Sequence, residues 1–447
     1  MKFDEVRSAL IEAANDAGLT EYEIYYMRDN GISAETLKDE ISNFSYSLGG
    51  GVSFRCVYEG KMGYASSELL EENEMRELVK RAISNAQNMD TVGEAEIYRG
   101  SQSYATLEAS EIALPDAASI KDTALALQRK TYSASEFVTD GTQSAALANK
   151  LDIELINSHG LHLKNSVGMS GVYANAVVKK DGESEEAFEF CDSFDAEIYE
   201  KSAEKAVEVA LSKLNAAQLE SGKYDVVFSA KQMRALLSAF SSVFSGKEAY
   251  NGLSLLAGKV GEKIAADCVT IVDDPMREGS TMKTNFDGEG VATYCKNVVE
   301  NGVLKTLLYD LTTAKKAGVV STGNGQRGSY ASTVSVLPYN FYIKGGDDTL
   351  EELLEKVEDG IYVTELKGLH AGANAVTGDF SIESAGFRIR NGKKCEAIRS
   401  FTIAGNFFEL LHSIESISNN VSFGIPSSFT VFGAPDTLIR KMSVAGK

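Results

Sequence analysis

His370 begins the segment whose composition best suits ligand binding. It precedes a Gly-rich loop, residues 371–379, which carries Asn374 and Asp379 among small side chains. Small residues allow a ligand to approach the backbone closely, and loops of this kind often carry binding groups. A purely structural loop has the same composition, so the sequence leaves both interpretations open.

Two further histidines, His159 and His162, lie three residues apart in a stretch that is typical of strand and turn. Odd spacing on a strand sends side chains to opposite faces, so one metal ion could bind both only if Gly160 reoriented them. We therefore interpret this segment as a polar hairpin tip.

Residues 323–328 match the dinucleotide-binding pattern G-x-G-x-x-G letter for letter. That pattern requires a preceding strand and a following helix. Residues 329–336 instead alternate as a strand does, which indicates a tight Gly loop between sheet elements. Residues 252–260 resemble a phosphate loop, but five residues instead of four separate its two glycines, and Val260 stands where a Ser or Thr would bind the metal. The G-x-S-x-G pattern of serine hydrolases is absent.

The charge balance disfavours direct binding of nucleic acid. The 447 residues include 44 Lys and Arg against 64 Asp and Glu, a net charge of −20, and contain no basic run. Acidic pairs are frequent in such a chain, so we interpret 273–274 and 287–289 as solvated turns. Charged residues near the N-terminus argue against a signal peptide, and no stretch approaches the ~18 apolar residues of a membrane span. We expect a cytoplasmic protein that does not contact a membrane.

Five cysteines, all at least 27 residues apart, offer no C-x-x-C pair for zinc or redox chemistry. We expect all five to be reduced and most of them buried as packing residues. They are Cys56, Cys191, Cys268, Cys295 and Cys395.

Periodicity predicts an α+β fold with two successive helix-hairpins-helix units followed by a sheet-rich C-terminal domain. The expected domains are 1–105, 110–218 and 221–447, with a polar linker at about 90–115. At the start of the third domain, Ser229 and Gln232 have the S-x-x-Q spacing of a capping box and predict a helix to about Phe244.

Several short segments, in order along the chain, resemble the PmbA (TldE) branch of the TldD/PmbA family. The N-terminal strand-and-Gly region at about 49–65 and the run from His370 to Ser381 take part in this resemblance. The other segments are 258–262, 286–290, 321–325, 403–406 and 442–446. Together they span essentially the whole sequence.

The resemblance implies a cytoplasmic subunit of a peptidase system in which a TldD-type and a PmbA-type chain associate. In the metal-bearing branch, an H-E-x-x-x-H helix and a C-terminal Cys would hold zinc and activate water. The corresponding segments here, 237–242 and about 418–423, contain no His, Glu or Cys. We therefore expect no metal and no catalytic residue in this chain, and zinc only in a TldD-like partner.

The leading hypothesis is a catalytically silent subunit that helps a TldD-like metallopeptidase enclose its peptide substrate. Loop chemistry and the resemblance together select four candidates for the substrate groove: His370, Asn374, Asp379 and Arg327. One alternative is a homodimeric peptidase that uses unrecognised ligands, such as His370 with Asp379 or Asp287. A second is a gyrase-associated regulator without peptidase activity.

Overall fold

The structure is a computed structural model that describes residues 2–90, 96–107 and 113–447. The linker expected at about 90–115 falls partly on 91–95 and 108–112, which lie outside the described residues. Within the described ranges, no helix is both long and apolar enough to cross a membrane.

A six-stranded antiparallel sheet, called the N-terminal sheet, contains strands of both predicted N-terminal units. Its spatial order is β3-β2-β1-β4-β5-β6. Strand β1 joins the two units because it pairs with β2 of the first unit and β4 of the second, so that Ile24 lies opposite Phe54 on one side and Ile156 on the other. The strands are β1 (Tyr22–Leu37), β2 (Glu40–Tyr58), β3 (Lys61–Ser67), β4 (Gln143–Asn157), β5 (His162–Lys180) and β6 (Glu183–Cys191).

Four helices cover one face of the N-terminal sheet, because each carries apolar residues at helical spacing. The first two pack against Ile24 and Phe54, and the other two against Ile32 and Val172. The helices are α1 (Phe3–Asp16), α2 (Glu72–Gln87), α3 (Ala117–Ser133) and α4 (Ala196–Ser212).

The opposite face of the N-terminal sheet packs on the C-terminal region. Tyr25 and Leu155 belong to one apolar cluster with Phe286, Tyr339 and Phe429. This contact brings the two regions together and also buries the charged residues described below.

The C-terminal region contains two more six-stranded sheets and a small two-stranded one, β11-β12, within the described residues. The second sheet has the order β10-β9-β8-β13-β19-β18, and the third has β16-β15-β14-β7-β20-β17. The strands are β7 (Gly222–Phe228), β8 (Ile271–Asp273), β9 (Lys296–Glu300), β10 (Val303–Leu304), β11 (Gly325–Gln326), β12 (Ser335–Val336), β13 (Asn340–Ile343), β14 (Asp359–Lys367), β15 (Asp379–Arg390), β16 (Lys393–Asn406), β17 (Ile414–Ile417), β18 (Ser422–Phe423), β19 (Val431–Ala434) and β20 (Thr437–Ala445).

Helix α5 lies between the second and third sheets, since it contacts β18 and β19 of one and β7 and β14 of the other. It ends at Phe240 and continues as a 3-10 turn, Ser241–Phe244. The helices of this region are α5 (Ala230–Phe240), α6 (Gly246–Tyr250), α7 (Leu311–Ala317), α8 (Leu350–Glu355), α9 (Leu369–Gly372) and α10 (Phe407–His412).

The predicted fold class is confirmed: helix and sheet units at the N-terminus precede a sheet-rich C-terminal region. The predicted capping box at α5 is wrong in detail. Ser229 occupies the N-cap position, but its side chain makes no cap hydrogen bond. The Gln232 amide instead donates to the backbone oxygen of Thr364 on β14, at 2.7 Å. A tertiary contact thus replaces the local one.

Candidate functional site

The water-facing side of helix α5 lines a cleft of about 530 Å³, called the α5 cleft. The other lining residues come from the segment between β18 and β19, from β19 itself and from the segment before β13. The lining residues are Arg234, Ala235, Ser238, Ser241, Leu337, Pro338, Gly424, Ile425, Ser427, Ser428, Thr430 and Phe432.

The apolar stripe of α5 determines which side chains reach this cleft. Met233, Leu236, Leu237 and Phe240 are buried in the core, and the Phe240 ring stacks on Phe407 with centroids 4.5 Å apart. Leu237, the first residue of the segment that corresponds to the zinc motif, therefore points into the core. The opposite side of the helix, with Arg234 and Ser238, is left for the cleft.

Arg234 carries the positive charge of the α5 cleft. Its Nη1 donates to the Ser422 hydroxyl oxygen at 3.3 Å and to the Ser422 backbone oxygen at 3.5 Å. The guanidinium lies against Gly424, where an added Cβ would come within 2.9 Å of the Arg234 Nε. Burial lowers the pKa of Arg234, and the Glu189 carboxylate only partly opposes this effect.

The donors around the α5 cleft do not fit a zinc ion. The polar side chains that line it carry hydroxyls and one guanidinium, and neutral hydroxyls are poor zinc ligands. Across the described residues, no group of three or more His, Cys, Asp or Glu side chains is arranged to hold a metal ion. The α5 cleft therefore lacks the imidazole, thiolate and carboxylate groups that a metallopeptidase site requires.

Three of the four groove candidates belong to one exposed loop that follows β14. His370 is on the short helix α9, and the backbone N–H of Asn374 donates to the Asp379 carbonyl oxygen at 2.8 Å. The Asp379 carboxylate accepts a hydrogen bond from the Asn406 amide at 2.9 Å. Hydrogen bonds from Asn406 and Thr377 lower the pKa of Asp379.

The fourth candidate, Arg327, lies elsewhere, between the N-terminal sheet and the C-terminal region. It is 1% exposed, donates to the Glu23 carboxylate, and sits over the Tyr25 ring with 4.5 Å between the guanidinium carbon and the centroid. The structure therefore places His370, Asn374 and Asp379 in one loop and Arg327 elsewhere.

Arg327 belongs to a buried group of ionisable side chains, called the ion cluster: Glu23, Arg55, Asp287, Glu289 and Arg327. Arg55 binds the Glu23 carboxylate through two hydrogen bonds, at 2.8 and 3.0 Å, and lies 3.5 Å from a Glu289 oxygen. Burial alone would raise the pKa of Glu23, but the two arginines outweigh this effect and lower it.

The carboxylates of the 287–289 turn are inside the molecule, so our interpretation of them as solvated is wrong. Asp287 is 1% exposed, and accepts hydrogen bonds from the backbone N–H groups of Glu289, Val291 and Gly325. Burial and the neighbouring Glu289 carboxylate raise the pKa of Asp287 to about 8. The sequence around 287 does not indicate this burial, because Gly325 and three members of the ion cluster, Glu23, Arg55 and Arg327, are distant from it in sequence.

Asp273 of the other acidic pair is also buried. Its carboxylate accepts hydrogen bonds from the Lys296 ammonium at 3.1 Å and from the Asn324 amide at 2.8 Å. Asn324 is part of the G-x-G-x-x-G match, and Gly325 starts a two-residue strand that pairs with β12. Among the described residues, no helix directly follows the match, but the strand predicted at 329–336 is limited to β12, and two residues of the match itself form β11.

The predicted histidine hairpin connects β4 to β5. Gly160, with φ of 86°, turns the chain between β4 and β5, and His162 Nε2 lies 3.0 Å from a Glu154 oxygen, as expected for a polar hairpin tip.

The expectation that most cysteines are buried is wrong. Only Cys56 and Cys191 are buried, whereas the other three, Cys268, Cys295 and Cys395, are exposed.

The chain matches three consecutive domains described as PmbA/TldA metallopeptidase: domain 1 over residues 22–86, the central domain over 110–214 and the C-terminal domain over 221–446. A metalloprotease PmbA homolog of Haemophilus influenzae is 27% identical over 441 residues, covering 93% of this chain and 92% of that protein.

Two solved structures have the same fold. A Thermotoga maritima protein described as a candidate modulator of a DNA gyrase superposes with a TM-score of 0.88 at 27% identity, covering 99% of this chain and 100% of that chain. TldE from Thermococcus kodakarensis superposes with a TM-score of 0.88 at 23% identity, covering 98% of this chain and 100% of that chain.

Proposed function

The chain belongs to the PmbA/TldA metallopeptidase family, and we propose that it is a subunit that supplies no metal ligands and acts with a zinc-bearing, TldD-like subunit. The pair would cut peptides in the cytoplasm. The TldD-like chain would provide the ion and the activated water, while this chain would enclose the peptide and hold it in position.

The observation that carries this proposal is the α5 cleft. It lies on the helix where the metal-bearing branch is expected to carry its ligands, yet its polar side chains are Arg234 and hydroxyl groups. A divalent ion without anionic or imidazole donors would not recover its dehydration cost there. The α5 cleft can still hold a peptide in position, and correct positioning of reactants contributes strongly to catalysis.

Three preparations test this proposal: the full-length chain alone, a TldD-like subunit alone, and the two co-purified. Peptide cleavage is followed with a fluorogenic peptide library. We expect the two chains to co-elute, and cleavage by the pair to exceed that of either chain alone. Efficient cleavage by this chain alone, abolished by a zinc chelator, would refute the proposal.

We also propose that the exposed His370–Asp379 loop forms part of the peptide groove. Its backbone and side-chain amides are already arranged by internal hydrogen bonds, so little ordering is needed on binding. The competing homodimeric peptidase would need His370 to act with Asp379 or Asp287. Asp287 is an unsuitable partner, because it is buried in the ion cluster and bonded to three backbone N–H groups.

A role in gyrase regulation is the second candidate function, and it is favoured by the description of the Thermotoga maritima relative. With a net charge of −20, this chain would bind a basic protein surface more readily than DNA. Affinity purification of the tagged chain from its host tests this candidate. Stoichiometric recovery of gyrase subunits without a peptidase partner would favour regulation over peptide cleavage.

A further inference from the structure

The α5 cleft contains a cation that no acidic side chain neutralises. Arg234 makes its hydrogen bonds to neutral oxygens of Ser422, and at 3.3 and 3.5 Å both are long. Glu189 influences it only through space, and no ion pair of Arg234 occurs among the described residues. A guanidinium has five N–H donors, so most of its hydrogen-bonding capacity is left for a ligand.

The remaining walls of the cleft are largely apolar. Leu337 and Ile425 expose 41% and 43% of their surface, and Ala235, Pro338 and Phe432 lie beside them. The volume of about 530 Å³ is within the ~300–1,000 Å³ range typical of ligand pockets. A cation set among apolar walls suits a ligand with one anionic group and an apolar body.

We propose that the α5 cleft binds peptides through a carboxylate, which Arg234 holds in a two-pronged hydrogen-bonded ion pair. The inference takes from the proposed function only that a peptide reaches this cleft. Arg is the side chain whose geometry matches a carboxylate with two parallel N–H bonds, and such bonds are stronger than neutral ones.

The local charge of the α5 cleft favours an anionic ligand. The overall charge of −20 repels anions at long range, so binding of an anion here requires a local cation. A partner protein's single carboxylate would satisfy Arg234 as well, but would leave most of the apolar volume empty. The carboxylate could be a peptide C-terminus or an acidic side chain, and the experiment separates the two.

Because Gly424 has no side chain, it leaves room for the Arg234 guanidinium beside the cleft. Any side chain at this position would begin 2.9 Å from Nε and 3.1 Å from Cζ of Arg234, which is too close for both to remain. Gly424→Ala therefore displaces the guanidinium without removing its charge. It offers a second way to disturb the proposed site.

Fluorescence anisotropy with the full-length chain tests the proposal at 0.15 M salt. The probes are N-terminally labelled Ala-Gly-Ala-Val-Ala-Leu with a free or an amidated C-terminus, and amidated peptides with one internal Glu or Gln. We expect at least one carboxylate probe to bind at least about tenfold more tightly than its neutral match. The free-acid and Glu arms then show which carboxylate is recognised.

Arg234→Gln and Gly424→Ala should abolish this preference, and Arg234→Lys should restore part of it. Lys231→Gln is the matched control: it removes a cation one helical turn away that does not line the cleft. Circular dichroism and thermal unfolding show whether each variant is folded. If wild type binds acid and neutral probes equally, or binds neither, the inference is wrong.

The same probes separate this inference from the proposed function. Cleavage of acid and neutral peptides by the co-purified pair with equal KM values would overturn the role of Arg234 and leave the peptidase role intact. Selective binding of the acidic probes without cleavage by any pair would support the role of Arg234 and contradict the peptidase role. If Arg234→Gln keeps the full preference for acidic probes, Arg234 does not bind their carboxylate and the inference is wrong.

Discussion

The ion cluster and the α5 cleft hold their charged groups in opposite ways. In the ion cluster, Arg55 and Arg327 share the carboxylate of Glu23 in the interior, and each arginine is under 10% exposed. In the α5 cleft, half-buried Arg234 has only neutral acceptors beside a cavity. Paired buried charges hold two regions of the molecule together, whereas an unpaired cation beside a cavity is available to a ligand.

The largest expected effect follows from breaking the ion cluster. Glu23→Gln removes the carboxylate that both arginines bind and leaves their charges buried with too little compensation. Removing one partner of a buried ion pair costs about 3–5 kcal/mol, and we expect a loss of that size in the free energy of unfolding. Urea denaturation followed by circular dichroism measures it.

An exposed ion pair of the same chain provides the control. Arg76 of α2 binds Glu12 of α1 at 2.9 Å, with both side chains well exposed. Solvent screens such pairs, so Glu12→Gln should leave the urea midpoint nearly unchanged. Equal losses for Glu12→Gln and Glu23→Gln would contradict our distinction between buried and exposed pairs.

The second prediction concerns the pH dependence of the ion cluster. Burial and Glu289 raise the pKa of Asp287 to about 8, so the folded chain keeps a proton that the unfolded chain loses above its ordinary pKa of about 4. The folded state therefore binds more protons between these values, and this group makes stability fall as pH rises from about 4 to about 8.

Glu289→Gln removes the like charge and should lower the pKa of Asp287. We expect the variant's loss of stability between pH 5 and pH 8 to be smaller than that of wild type, because the pKa of Asp287 falls and because Glu289, whose own pKa burial raises, no longer titrates. Urea denaturation at both pH values measures the difference. An unchanged slope would show that Glu289 does not act on Asp287.

The third prediction is a small effect at the α5 cleft. Arg234→Gln removes a charge that makes only two long hydrogen bonds, so we expect the free energy of unfolding to change by less than about 1 kcal/mol. Thermal and urea unfolding check this value. A loss as large as that of Glu23→Gln would make Arg234 a structural residue rather than a binding one.

The smallest expected effect is at the groove loop. His370 is exposed, so His370→Ala should remove at most one hydrogen bond to a peptide and raise KM of the co-purified pair by about twofold, with kcat unchanged. Steady-state cleavage kinetics measure both constants. A large fall in kcat would instead support a catalytic role for His370.

The sequence predicted the helices well because their apolar residues repeat at helical spacing and bury one face, as Leu78 and Val79 do in α2. Three consecutive glycines occur at residues 49–51, and β2 continues through them. Close packing requires two of them: a Cβ on Gly50 would lie 2.3 Å from the Met27 oxygen, and one on Gly51 would lie 2.6 Å from the Tyr330 ring, whereas a Cβ on Gly49 would meet open space.

The candidate site could be predicted only in part. The absence of zinc ligands from α5 follows from residue types alone, but the role of Arg234 depends on which face of the helix is open. Arg327 was selected from its Gly-rich surroundings, and only the tertiary structure places it opposite Glu23, which is 304 residues away in sequence. Local patterns contain no information about partners at such a separation.

We propose that the side chains of this polypeptide do not bind a catalytic zinc ion, and those of the described residues form no metal-binding group. Elemental analysis of the full-length chain, purified without chelators and dialysed against micromolar zinc, tests it most directly. We predict far less than one zinc per chain, with about one per heterodimer once a TldD-like subunit is added. One zinc per isolated chain, held by several protein donors in X-ray absorption spectra, would contradict the account.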